Sequence, residues 1–506
     1  MKNHRYLFTH SYTILFIAVV LFGSVGCKQS ETKVEAKIEP TELPVNSTSS
    51  EAIASFNKGM EFLDVGNTQQ ARVHFSKAIE LDSNFASAYI FRSGTSPSNE
   101  HFRSDLRSAT SKKSSENESE KILIDIYTTY LNNNTEERLR QSQQLVSTYP
   151  TSARALVVLG DAYSDISEQA KSREQYQKAI ELDPNWVGGY FSLGTSYMNA
   201  EPKDFKKAEE NFVKVVALKP ELSGSHVYLG DAYRAQNDLE KARTSYENAL
   251  EKDPNDALTY LKRGHVNSYL GSYDEARNDY RKASELNPDN KIAPINFEAF
   301  TYLYAGDFKT ARSWLEEKAK SVNSLGLKPS QVNDAKSSFL SNCALIAFQQ
   351  EDAKEVNRYI GMMKPIFTKV GEEIGSDEAK LQQKANILTW EAYAAAMKGD
   401  YAAATAKAEE VKTTLEPVKN TNKLWGYYGA LSYISFKQGK FGEAIAFQEQ
   451  GDPNAPFSKY RLALAYEKAG QADKASKIYT ELVDYNFNNI GYALIRKELK
   501  DKTKSS

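Results

Sequence analysis

The chain has 506 residues, 64 of them Lys or Arg and 66 Asp or Glu, for a formal net charge of −2. Charge this evenly balanced leaves no basic stripe for a phosphate backbone, so DNA and RNA are excluded as partners. Two cysteines and six histidines, with no Cys-x-x-Cys, His-x-x-x-His, Gly-x-x-x-x-Gly-Lys or Gly-x-Ser-x-Gly, give a metal, a cofactor or a catalytic nucleophile no anchor, and no enzyme is expected.

Lys2, His4 and Arg5 precede an apolar run from Tyr12 to Phe22, which gives way to Gly23-Ser24-Val25-Gly26-Cys27. A bilayer span needs about 20 apolar residues, so this shorter run is read as a signal peptide over 1–26. Val25, Gly26 and Cys27 resemble the bacterial lipobox, with Ser24 where Leu is usual. The resemblance implies a lipid on Cys27 that holds the mature chain to the membrane of a bacterial cell envelope. Lys28 in place of Asp fits the outer membrane, facing the periplasm or the surface. Residues 27–50 hold Lys, Glu, Thr, Ser and Pro and almost no large apolar groups, so they are expected to be a disordered tether.

Helical spacing begins with Gly59, Phe62, Ala71, Phe75 and Ala78, a helix pair across 52–85. From 86 to 118 Ser, Asn and Lys take over, and this stretch is an imperfect pair or an irregular insert within an N-terminal region of 51–152. Residues 119–131 and 135–148 recover the spacing around a polar Asn132-Asn133-Asn134-Thr135 turn.

The region 153–290 is periodic. Leu159-Gly160, Leu193-Gly194, Leu229-Gly230 and Arg263-Gly264 recur at steps of 34, 36 and 34 residues. Pro184, Pro220, Pro254 and Pro288 follow in step, and Tyr176, Phe212, Tyr246 and Tyr280 keep phase with Ala179, Val215, Ala249 and Ala283. Gly and Ala let helices approach, an aromatic ring fills the space between successive pairs, and Pro ends each pair. These residues resemble tetratricopeptide repeats, which implies an all-α fold: a right-handed α-solenoid of tetratricopeptide-like helix pairs.

After 290 the aromatic and Pro signals fade, but turns persist at Gly306, Gly399, Gly439 and Gly470, each followed by Ala311, Ala404, Ala444 or Ala475. Four or five degenerate pairs are expected across 291–485, the least regular near 335–372. A capping helix and tail occupy 486–506, with Leu494, Ile495 and Leu499 opposite Arg496, Lys497 and Lys500.

The resemblance also implies a concave groove lined by the first helix of each pair. Carried onto this chain, the groove positions include Arg154, Asp161, Phe191, Thr195, Asp231, Arg234 and His265, with Tyr228 and Lys262 one place further round. Val157 and Asp161 stand where relatives that grip a chaperone's acidic C-terminus have Lys and Asn, so that clamp is absent. The implied function is a scaffold with a protein or peptide in the groove and a membrane reached through Cys27. The alternative is a glycan-capture lipoprotein of the starch-uptake type; such proteins carry Trp-rich insertions, and this chain has four Trp.

Overall fold

Short polar side chains start many of the helices. Asn67, Asp204, Asp307, Asp352 and Asp400 each accept a hydrogen bond from a backbone N–H of the first turn. A computed structural model describes residues 42–96, 98–113 and 117–504, and in them there are 25 α-helices and no strand. The signal peptide, Cys27 and the tether through residue 41 lie outside the described residues. The remaining chain falls within one compact unit, Thr41–Ser506.

The first three pairs are α1 (Ser50–Leu63) with α2 (Thr68–Leu81), α3 (Ala86–Gly94) with α4 (Asn99–Thr110), and α5 (Glu118–Thr129) with α6 (Thr135–Thr148). The stretch 86–118 thus contains a short pair, tied by Arg92 to Asp105 at 2.5 Å. The regular array is α7 (Ala153–Asp165), α8 (Gln169–Leu182), α9 (Val187–Asn199), α10 (Phe205–Leu218), α11 (Ser223–Ala235), α12 (Leu239–Lys252), α13 (Ala257–Leu270) and α14 (Tyr273–Leu286). Within each pair the aromatic ring of the second helix lies on the Gly of the first: a Cβ on Gly160 would meet Tyr176 at 2.4 Å, and one on Gly230 would meet Tyr246 at 2.6 Å. The ring therefore packs inside a pair rather than between successive pairs.

Five more pairs follow: α15 (Ile292–Ala305) with α16 (Phe308–Lys320), α17 (Pro329–Gln349) with α18 (Ala353–Ile374), α19 (Asp377–Met397) with α20 (Tyr401–Leu415), α21 (Trp425–Lys437) with α22 (Phe441–Gln448), and α23 (Pro456–Lys468) with α24 (Ala472–Val483). Gly306, Gly399, Gly439 and Gly470 take φ between 75° and 83°, as the turns require. Ala311, Ala404, Ala444 and Ala475 are all buried.

Two boundaries need correction. The expected tether does not run to residue 50: Leu43 is buried, Ser119 donates to the Pro44 carbonyl, and Ser47 donates to Asp82, so 42–49 lies on the helices. The last helix, α25 (Ile490–Lys504), is more than an end cap. It buries Tyr492, Leu494, Ile495 and Leu499, packs on α15, α17, α23 and α24, and turns Arg496 inward to the Tyr269 carbonyl at 2.9 Å.

Candidate binding surface

The first helices of the regular array carry the expected groove residues, and much of this surface is already covered by the chain itself. At its N-terminal end the α1–α2 turn, Asp64 to Asn67, enters the groove. Buried Arg154 donates to both oxygens of Asp64 at 2.9 Å and to Glu42 at 2.5 and 2.7 Å, with its guanidinium 4.9 Å from the Trp186 ring. Trp186 Nε1 donates to the same Asp64 at 2.8 Å. Burial pushes the Asp64 carboxyl up, and the Arg154 charge opposes that shift.

Phe191 and Tyr228 meet edge to face, 4.7 Å between centroids, and both press on Gly66. A Cβ there would lie 2.4 Å from the Tyr228 ring, and φ is 74°, so only glycine suits the turn. Gly224 leaves the matching space for the Val65 carbonyl, and Asn67 donates to Ser223 at 3.1 Å.

The next stretch receives the loop between α24 and α25. Asn486 donates to the Arg234 carbonyl at 2.5 Å, Arg234 donates back to the Asn486 carbonyl at 3.3 Å, and the guanidinium lies over Phe487 at 5.5 Å. Asn488 donates to His265 Nδ1 and to the Tyr280 hydroxyl, both at 3.0 Å, while accepting from Tyr304 at 2.7 Å. Burial first, then the Arg234 and Lys262 charges, hold the His265 imidazole down at about 3. It is neutral, with Nδ1 as acceptor.

The remaining groove positions serve the pairs themselves. Asp161 accepts from Tyr176 at 2.6 Å and Asp231 from Tyr246 at 2.7 Å, the tyrosine standing 15 residues on in each case. His265 meets Tyr280 at the same interval. Where Phe212 replaces tyrosine, the Thr195 hydroxyl is buried without a partner among the described residues. Lys262 pairs with Asp231 and lies 5.5 Å over the Tyr228 ring.

The expected groove positions Phe191, Tyr228, Asp231, Arg234, Lys262 and His265 thus form one continuous wall, but not an open one: Arg154, Phe191, Arg234 and His265 hold segments of their own chain, and Asp161 and Asp231 hold buried tyrosines. Family positions alone cannot reveal the segments that cover them. The signals present in the sequence were Gly66-Asn67, a turn dipeptide, and Asn486-Phe487-Asn488-Asn489, a polar run inside an otherwise helical end. Cys343 is buried and its thiol is pushed up to about 12 by burial, as a packing residue. Among the described residues no group of three or more His, Cys, Asp or Glu is placed to hold a metal, and no helix is long and apolar enough to cross a membrane.

Tetratricopeptide repeat profiles match residues 52–85 and 153–185, 257–290 and 458–486, and a TPR repeat profile matches 230–268. The chain is similar to protein O-mannosyl-transferase TMTC1 of Mus musculus, 28% identical over 162 residues, which is 32% of this chain and 14% of that protein. It is similar to superkiller complex protein 3 of Mus musculus, 31% identical over 119 residues, 23% of this chain and 8% of the relative. The match therefore spans a small part of either relative. Among solved structures, MamA is 23% identical with a TM-score of 0.28 over 32% of this chain and 93% of its own. YrrB, described as a TPR protein with an unusual peptide-binding site, is 21% identical with a TM-score of 0.30 over 35% of this chain and 89% of its own. Residues 52–85, 153–185, 230–290 and 458–486 of this all-α solenoid are tetratricopeptide repeats.

Proposed function

We propose that the protein is a non-catalytic scaffold that binds a protein or peptide on the inner wall of its solenoid and is held to a bacterial envelope membrane by lipid on Cys27. The observation that carries the binding half is the occupied groove: its side chains already hold two non-helical pieces of polypeptide, the 64–67 turn and the 484–489 loop, by backbone and side-chain hydrogen bonds and by aromatic contact. A wall that receives its own chain this way has the chemistry to receive another. Beside the 64–67 turn, Tyr228 and Lys262 border a cleft with exposed Leu258. A partner at 153–290 uses that cleft, or displaces one of the two segments.

The anchoring half rests on the basic start, the short apolar run and Val25-Gly26-Cys27. Outer-membrane attachment, facing the periplasm or the surface, is part of the same proposal. The test is affinity capture from envelope extracts with the intact chain, read by mass spectrometry beside fractionation of Cys27→Ser. The reading expects a lipid-bearing Cys27 at the mature N-terminus, loss of Cys27→Ser from the membrane fraction, and a reproducible protein partner. An unmodified Cys27 with unchanged partition removes the anchor, and capture of no protein removes the scaffold.

A further inference from the structure

The first helices of the degenerate half converge. α17 and α23 belong to pairs that are three apart in the stack, yet Phe348 and Phe457 have ring centroids only 6.2 Å apart, because the inner wall curls tightly here. Tyr393 of α19 and Tyr433 of α21 complete the contact, each with its centroid 4.8 Å from that of Phe348. Over this aromatic floor lies the Arg461 guanidinium, 4.8 Å from the Tyr433 ring, 5.5 Å from Phe348 and 5.8 Å from Tyr393, with the Lys437 ammonium 5.9 Å from the same Tyr433 ring.

Stacking satisfies the face of a guanidinium but not its edge, which carries five N–H donors. Arg461 is half-buried, and no described residue pairs with it or accepts a hydrogen bond from it. The nearby acid is already engaged: Glu351 accepts the Tyr433 hydroxyl at 2.8 Å and pairs with Lys437 at 3.1 Å. Beside Arg461 is a cavity of about 150 Å³, walled also by Phe436 and Leu464. At roughly 30 Å³ per water this is about five waters, the room of one medium side chain.

We infer that Arg461 and its aromatic floor form an anchor for one acidic side chain of an extended peptide, the methylenes of that side chain lying against Phe436 and Leu464. A planar carboxylate matches the guanidinium fork with two parallel hydrogen bonds, and its single charge balances the single unpaired cation. A phosphate would require a second cation, and Lys437 is held by Glu351. A chain terminus would bring its backbone and last side chain into a space sized for one. This deepens the scaffold reading and rests on it; it also moves the site of capture from the repeats at 153–290 to α17–α23.

The experiment uses the intact chain and an acetylated, amidated probe of sequence Gly-Ser-Phe-Glu-Leu-Ser-Gly, its Glu-to-Gln counterpart, and the Gln peptide with a free C-terminal carboxylate. Anisotropy with the labelled probes is expected to show the Glu peptide bound at least tenfold tighter than either Gln peptide. Arg461→Gln should reduce that ratio to near one, Arg461→Lys should keep part of it, and both variants should melt with the parent. Equal binding of all three probes, no binding at millimolar concentration, preference for the free terminus alone, or a ratio that survives Arg461→Gln overturns the assignment. A partner captured from extracts that binds Arg461→Gln undiminished would leave the scaffold standing and this site refuted.

Discussion

At the scale of single residues, one position shows how a repeat uses its inner wall. Asp161, Asp231 and His265 each meet the tyrosine that fills the pair, so what looks like a ligand-facing position is also an internal acceptor. Thr195 lacks that partner because Phe212 has no hydroxyl, and a buried unpaired hydroxyl costs about 1–3 kcal/mol. Thr195→Val, close in shape and without the polar atom, is therefore expected to leave stability unchanged or raise it by about 1 kcal/mol in urea unfolding. The reverse is expected at Gly230, where any Cβ would collide with fully buried Tyr246. Gly230→Val should cost about 3 kcal/mol, and exposed Lys241→Ala less than about 0.5 kcal/mol. His265 gives a pH signature. Its folded-state value, about 3, lies below that of the unfolded chain, so the stability it contributes is present above about 6.5 and is lost as pH falls toward the folded value. The groups facing it are Arg234, Lys262, Tyr280 and Asn488. Between pH 7 and 4.5 the melting temperature should fall more steeply in the parent than in His265→Gln.

At the scale of elements, the helix pairs were legible wherever packing demands a small residue opposite a large one. Gly160 under Tyr176 and Gly230 under Tyr246 are local demands, spaced by the helix repeat, and they recur in register. The stretch near 335–372 was obscure for the opposite reason: α17, α18 and α19 have 21, 22 and 21 residues against 13 or 14 in the regular array, so the small and large positions lose the 34-residue phase. The coverage of the groove was not legible, because it depends on contacts such as Asn67 with Ser223, 156 residues apart, and Arg234 with Asn486, 252 apart. No local pattern encodes such pairings. The docked turn makes a prediction of its own. Arg154 is the counter-charge of buried Asp64, so Arg154→Ala should destabilise by about 3–5 kcal/mol, and Asp64→Asn in the same chain should recover part of the loss, since the uncompensated charge is then gone.

At the scale of the whole described chain, a stack in which each pair touches only its neighbours would fray from its ends. Here the first turn and the last loop both return to the middle, Asp64–Asn67 onto α7, α9 and α11 and Asp484–Asn489 onto α11, α13 and α15. The end pairs are held by the regular repeats, and amides of α1 and α2 should exchange about as slowly as those of α11 in the parent and much faster in Arg154→Ala. The same closure separates two functions of the inner wall: at 153–290 it largely holds the chain's own segments, and at α17–α23 it presents the unpaired Arg461. The most direct test of this closure is a cross-link. In a Cys27→Ser background, where Cys343 is buried and unreactive, Gln70→Cys and Asp253→Cys, at two half-buried positions that touch across the closure, should be joined rapidly and intramolecularly by a short bis-maleimide, seen as a peptide linking 70 to 253 after digestion. A docked turn predicts near-complete linkage that Arg154→Ala strongly reduces; two thiols that react singly and stay unlinked would contradict it.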